Sequence, residues 1–280
     1  MSRALICAAA IATSGCGHGG SSGNGAVPAP QAPIAFEGAT ALPSARLAQG
    51  ERLTYVLGCR GCHGSRLEGH LWDHDPRGYG VMWASNLTRA VAGMTDAQLR
   101  ALLTQGVHPR RGDLWVMPSE LFQHLAEPDL IALIAYLRSL PPGGPVSPDP
   151  RPGPRALREI ASGEAKPAAA LVRETRAALP ADAGPEHALG RYITSVTCAE
   201  CHGHRLEGHR SEEGSTPDLN IVGAYSREEF ERLITRGEAK GGRRIAGLMV
   251  DVARNRFSRL TRGERDAVYA YLRARAALPQ

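Results

Sequence analysis

Two short runs in this 280-residue chain carry residue types able to do chemistry: Cys59-Arg60-Gly61-Cys62-His63 and Cys198-Ala199-Glu200-Cys201-His202. A Cys-x-x-Cys pair alone is open to zinc, redox-disulfide and iron–sulfur readings. The His that follows each second Cys narrows the choice. A zinc site built from four cysteines leaves both histidines without a role. A thioredoxin-like disulfide needs a strand before the motif and a βαβ context, and the sequence offers neither. Two thiols at this spacing can instead add to the two vinyl groups of one haem. A short helical turn then brings both sulfurs to the porphyrin edge and holds the next imidazole under the iron. The expected cofactors are two covalently attached c-type haems, bound through Cys59 and Cys62 and through Cys198 and Cys201. His63 and His202 are the expected proximal iron ligands.

The sixth ligand separates an electron carrier from an enzyme. The second half has a single methionine, Met249, 48 residues after Cys201. The first half offers Met82, Met94 and Met117. Met94 precedes Thr95, the start of a capping box, where a residue that packs against the helix belongs; its counterpart before Ser226 is Tyr225. Met82 lies in Gly80-Val81-Met82-Trp83, a loop able to line a pocket. Met117 follows Gly106 by 11 residues, as Met249 follows Gly237 by 12. That matching offset makes Met117 the preferred partner of His63, and Met249 the partner of His202. His/Met ligation saturates the iron and raises its potential relative to His/His, which favours single-electron relay. The rival is a haem enzyme, a peroxidase or thiosulfate-type oxidoreductase, using one iron with a displaceable Met. Pro118 follows Met117 but Val250 follows Met249, so the second loop is the less constrained.

The elements that position these residues repeat. Cys59 to His70 matches Cys198 to His209 at nine of twelve positions. A capping-box helix follows in each half, Thr95 with Gln98 and Ser226 with Glu229, ending at Gly106 or Gly237. The last helix of each half contains Ala135-Tyr136-Leu137-Arg138 or Ala270-Tyr271-Leu272-Arg273, and the second of these opens with a further capping box at Thr261 and Glu264. No strand pattern is evident. Seven prolines between 141 and 154 exclude a helix or a central strand there and mark a stiff linker. Residues 155–178 have amphipathic helical character, interrupted by Gly163 and Pro167. Aromatics make up only 5% of the chain, so a buried porphyrin would supply apolar bulk that each small half lacks.

The first residues read as an export signal, with Arg3 ahead of the apolar run Leu5 to Ala12. Thr13-Ser14-Gly15-Cys16 resembles a bacterial lipobox, which places lipid on the thiol of Cys16; ordinary signal cleavage and an uncleaved anchor are the alternatives. Of six cysteines, Cys7 then leaves with the signal and Cys16 is acylated, so the four motif cysteines remain. No spare thiol is left to mispair in an oxidising compartment. The expected location is the periplasm, with membrane attachment through lipid. The formal charge of +5 falls to near neutrality once Arg3 is lost and four haem propionates are added, so nucleic acid is not an expected partner. Ten basic residues between Lys240 and Arg275, against Asp251, Glu264 and Asp266, suggest docking of an acidic redox partner, with Arg254 and Arg256 among them. His70, His209, His74, His108, His124, His187 and His204 read as surface or propionate-facing residues, and Arg66 and Arg205 as candidates for pairing with propionates.

On these residues the chain resembles class I c-type cytochrome domains over both halves. It is most similar to the dihaem cytochromes and cytochrome subunits associated with bacterial membrane dehydrogenases. The features that carry the resemblance are the two Cys-x-x-Cys-His motifs, Asn86-Leu87-Thr88, Met117-Pro118 and Leu133-Ile134-Ala135-Tyr136-Leu137-Arg138. The resemblance implies an all-α fold of two tandem cytochrome c domains, each wrapped around a covalent haem. A signal peptide (1–15) and a flexible tether (16–43) would precede domain 1 (44–141), a proline-rich linker (142–186) and domain 2 (187–280). It also implies that the first and last helices of each domain cross at Gly50 and Tyr136, and at Gly190 and Tyr271. A Pro carbonyl often orients the proximal His in this family; Pro217 fits that role for His202, whereas Ser85 stands at the comparable place for His63. The implied partners are a dehydrogenase or quinol-oxidising donor and an oxidase or small-carrier acceptor.

Overall fold

The computed structural model describes residues 34–39, 42–211, 214–245 and 247–279; the expected signal, the Cys16 modification and most of the tether lie outside them. The first half begins with α1 (Pro43–Val56), whose Pro43 occupies a position where a missing N–H costs nothing. The short motif helix α2 (Cys59–His63) follows, then a hairpin of β1 (His70–Asp75) and β2 (Gly80–Ala84), and α3 (Leu87–Ala90). Next come α4 (Asp96–Gln105), a small hairpin of β3 (Val107–His108) and β4 (Gly112–Asp113), α5 (Ser119–Phe122) and α6 (Glu127–Ser139). The connecting segment carries β5 (Arg151–Pro152), α7 (Pro154–Ser162) and α8 (Ala168–Thr175). The second half repeats the plan with α9 (Ala188–Val196), the motif helix α10 (Ala199–His202), β6 (His209–Ser211), β7 (Gly214–Thr216), α11 (Arg227–Arg236), α12 (Leu248–Asn255) and α13 (Arg262–Ala276).

The fold is not all-α. Of the described residues 55% are helical and 10% lie in strands, in three small sheets. The β1–β2 hairpin pairs His70 with Ala84 and Asp75 with Gly80, with a bulge between Leu71 and Asp73. Its sequence carries the physical cause. Aromatic and β-branched residues in Leu71-Trp72 and Val81-Met82-Trp83 flank a Pro-Arg-Gly turn, a strand-favouring composition that a helical template hides. β5 adds to β2 as an edge strand, where Pro152 is tolerated because no further partner needs its N–H.

Helix pairs α1–α6 and α9–α13 cross in the same way. A Cβ at Gly50 would lie 2.1 Å from the Ala132 carbonyl oxygen and 2.6 Å from Tyr136 Cβ; at Gly190 the same distances separate it from the Ala267 oxygen and Tyr271 Cβ. Only a residue without a side chain permits this approach. The three capping boxes form, each with both reciprocal bonds, and α4 and α11 end at Gly106 and Gly237 with φ of +68° and +73°. The Met-bearing segment of the second half differs from the expected loop, because Met249 lies in the first turn of α12.

The halves share one apolar cluster, which includes Leu53, Leu133, Ile193 and Tyr271. Polar groups join them as well. Tyr192 donates its hydroxyl to Asp129 Oδ2 at 2.8 Å and accepts the Ala126 N–H at 3.0 Å. Arg52 makes a two-pronged bond to the fully buried Glu264, at 2.7 and 2.9 Å. The connecting segment packs on the first half: Gly153 N–H bonds the Tyr79 carbonyl at 2.7 Å and Ala168 N–H the Leu114 carbonyl at 2.8 Å.

Candidate functional site

Each motif helix ends in the same loop. Gly69 N–H bonds the His63 carbonyl at 2.9 Å, and Gly208 N–H the His202 carbonyl at 2.7 Å. Inside these loops Leu67 and Leu206 take positive φ, +59° and +64°, and are completely buried. A left-handed leucine costs about 1–2 kcal/mol, which burial of its whole side chain offsets at about the same scale. The loop therefore folds back on the histidine because its leucine is driven inward.

That folding fixes the imidazoles. His63 Nδ1 donates to the Ser85 carbonyl and His202 Nδ1 to the Pro217 carbonyl, both at 2.8 Å. A carbonyl oxygen can only accept, so the proton sits on Nδ1 and Nε2 keeps its lone pair. Burial lowers the basicity of both rings, with the carbonyl bonds opposing it, which favours the neutral form that binds a metal. Ser85 serves as well as Pro217 because the contact is made by backbone.

In the first half Cys59, Cys62 and His63 line a mainly apolar cavity of about 430 Å³, within the size range of cofactor sites. Met117, Pro118, Trp72 and Trp83 line it too, as do Met82 and Met94. Val116, beside Met117, has φ of +66°, a strained conformation for a β-branched residue. His108, expected at the surface, is buried and lines the same cavity. Its Nδ1 accepts the N–H groups of Arg110 and Arg111, each at 3.1 Å. The proton of neutral His108 is therefore on Nε2, which leaves no free lone pair for a metal. His74 is exposed, while His124, His187 and His204 are half-buried.

In the second half Cys198, Cys201 and His202 share one motif helix and its flank. Met249 packs against the shared apolar cluster and does not line the first-half cavity. A polar groove after this motif, lined by Glu207, His209, Arg210 and Asp218, includes neither His202 nor Met249. Arg66 pairs with Glu68 at the surface, at 2.6 Å. In place of Arg205, it is Arg275 that is buried, bonding Asp218, Asn220 and the Arg205 carbonyl.

No known protein family matches the chain, and no curated protein matches it. What the site can do is therefore decided by its own chemistry. The four motif thiols form no disulfide. Burial raises all of them, Cys59 to about 12 and Cys198 to about 11. Redox-exchange cysteines need a lowered pKa instead, and of the four only Cys62 is exposed. Among the described residues no group of three His, Cys, Asp or Glu side chains is placed to hold a bare metal ion. Two thiols, a neutral imidazole with a free Nε2, thioethers and an apolar cavity form a donor set that fits haem in the first half. The second half matches it on the Cys and His side.

Sequence reasoning missed one pair of residues. Arg256 donates to Glu200 at 2.7 Å and to the Val56 carbonyl at 3.2 Å. Glu200 is one of the two residues between the second motif's cysteines, yet it lines the first-half cavity. Arg256, expected in a docking surface, is 15% exposed and engaged with Glu200. The only sequence signal was a Glu between two motif cysteines with no local partner.

Proposed function

We propose that this chain is an exported dihaem c-type cytochrome that relays single electrons between a dehydrogenase or quinol-oxidising donor and a downstream acceptor. The observation that carries the proposal is the matched treatment of both motif histidines. Each follows a Cys-x-x-Cys pair, is held by a backbone carbonyl at 2.8 Å, and keeps Nε2 free. Haem, when bound, supplies a one-electron couple; the rest is positioning by the chain. Cys59 and Cys62, with Cys198 and Cys201, would anchor the two cofactors. His63 and His202 would bind from the proximal side, with Met117 and Met249 as the sixth ligands. The apolar cavity walls, Trp83 and Leu103 among them, exclude water and so limit solvent reorganisation on electron transfer.

The chain reaches the periplasmic membrane face, on this proposal, through lipid at Cys16. No helix of the described residues is long and apolar enough to cross a membrane. The resemblance to dihaem cytochromes of membrane dehydrogenases supports the same role and rests on the motifs alone. A reductive titration tests it: two electrons per chain, no peroxide turnover, and two low-spin haems are expected. The strain at Val116 beside Met117 favours one second reading, a haem enzyme whose Met ligand is displaced by substrate. High-spin iron with rapid peroxide turnover would select that reading instead.

A further inference from the structure

The Arg256–Glu200 pair stands between the two Cys-x-x-Cys-His motifs. Arg256 comes from the end of α12, Glu200 from between the cysteines of the second motif, and the contacts they make reach into the first. A Cβ at Gly58, next to Cys59, would lie 2.7 Å from the Arg256 guanidinium carbon. Arg256 also bonds the carbonyl of Val56, the last residue of α1. Arg256 Nη2 is buried and has no hydrogen-bond partner among the described residues. One ion pair is therefore shared by two attachment sites that lie 139 positions apart in the repeat.

We propose that Arg256 and Glu200 are a shared control point for the two haem sites, seating the motifs side by side and setting both reduction potentials together. This rests on the dihaem reading above. A positive charge near a haem favours the reduced state by Coulomb attraction, and a negative charge the oxidised state. Both are positioning residues acting through the site's field; neither is proposed as an iron ligand. The two haems thus form a coupled pair whose potentials cannot be tuned separately at this position.

The test is optical redox titration of the intact holoprotein, after haem content has been counted for each variant. Arg256→Met, which keeps the stem and removes the charge, is expected to lower both midpoints. Glu200→Gln is expected to raise both. The double variant should return both midpoints towards the parent, and Arg256→Lys should stay closer to the parent than Arg256→Met. If either single variant moves only one midpoint, or neither, or if both variants move them the same way, the proposal is overturned and the dihaem reading stands. Should Arg256→Met fail to fold, Glu200→Gln alone decides, by raising both midpoints or not. A parent chain without covalent haem overturns both readings.

Discussion

At the scale of single residues, protonation state decides what each candidate ligand can do. His63 and His108 both line the first cavity, but their backbone contacts are opposite in sense. A carbonyl takes the Nδ1 proton of His63, whereas two N–H groups point at Nδ1 of His108. Only His63 is left with a lone pair at Nε2. The cavity also holds three methionines, and Met117 is distinguished from Met82 and Met94 by its place between strained Val116 and Pro118 and by its half-buried side chain. Replacing it tests the assignment. Met117→Ala should abolish the methionine–iron charge-transfer band of one haem and leave the other intact, while Met82→Ala and Met94→Ala should leave both bands in place.

At the scale of elements, the repeat of helix crossings is the most sharply determined feature. Gly50 and Gly190 sit equally close to the opposing backbone, so adding one methyl group forces the helices apart in either half. Gly50→Ala and Gly190→Ala should each destabilise the protein by about 1–3 kcal/mol, the range for overpacking a close-packed contact; chemical denaturation measures this directly. The capping boxes and the αL glycines were legible in the sequence because each depends on residues close together, whereas the crossing was expected from the resemblance to class I cytochrome c domains. The hairpin of β1 and β2 was not. Its strands are short, its alternation is broken by a bulge at Leu71 to Asp73, and its edge partner β5 comes from a proline-rich run about seventy residues later. Met249 in a helix was equally hidden, since Gly247 before it reads as loop yet serves as the N-cap of α12.

At the scale of the whole molecule, the two halves are tied by polar groups that no local pattern announces. Asp129 is fully buried and accepts from Phe36 N–H, Tyr192 O–H and Gln49 Nε2. Burial raises its carboxyl above the ordinary range, opposed by those same bonds and by Arg52. The folded chain then holds the proton more tightly than the unfolded chain. The contribution of Asp129 to stability therefore falls as pH rises from the ordinary carboxylate value through the folded one. Asp129→Asn should remove that part of the slope in a pH series of unfolding midpoints. Asp129→Ala, which strands three donors, should cost about 1–3 kcal/mol. Arg52–Glu264 joins the halves in the same way, and Arg256, paired with Glu200 inside the second half, reaches across to the Val56 carbonyl of the first. The motifs themselves were readable residue by residue; that they face a common ion pair followed only from the packing.

That the four motif cysteines carry two haems is tested most directly by the mass of the purified chain, measured after denaturation and extraction of non-covalent groups. The expected result is a gain of two haem masses over the processed polypeptide, falling to one in Cys59→Ala/Cys62→Ala and to one in Cys198→Ala/Cys201→Ala. A chain at its bare polypeptide mass with four titratable motif thiols, when produced in cells competent to attach haem, would contradict it.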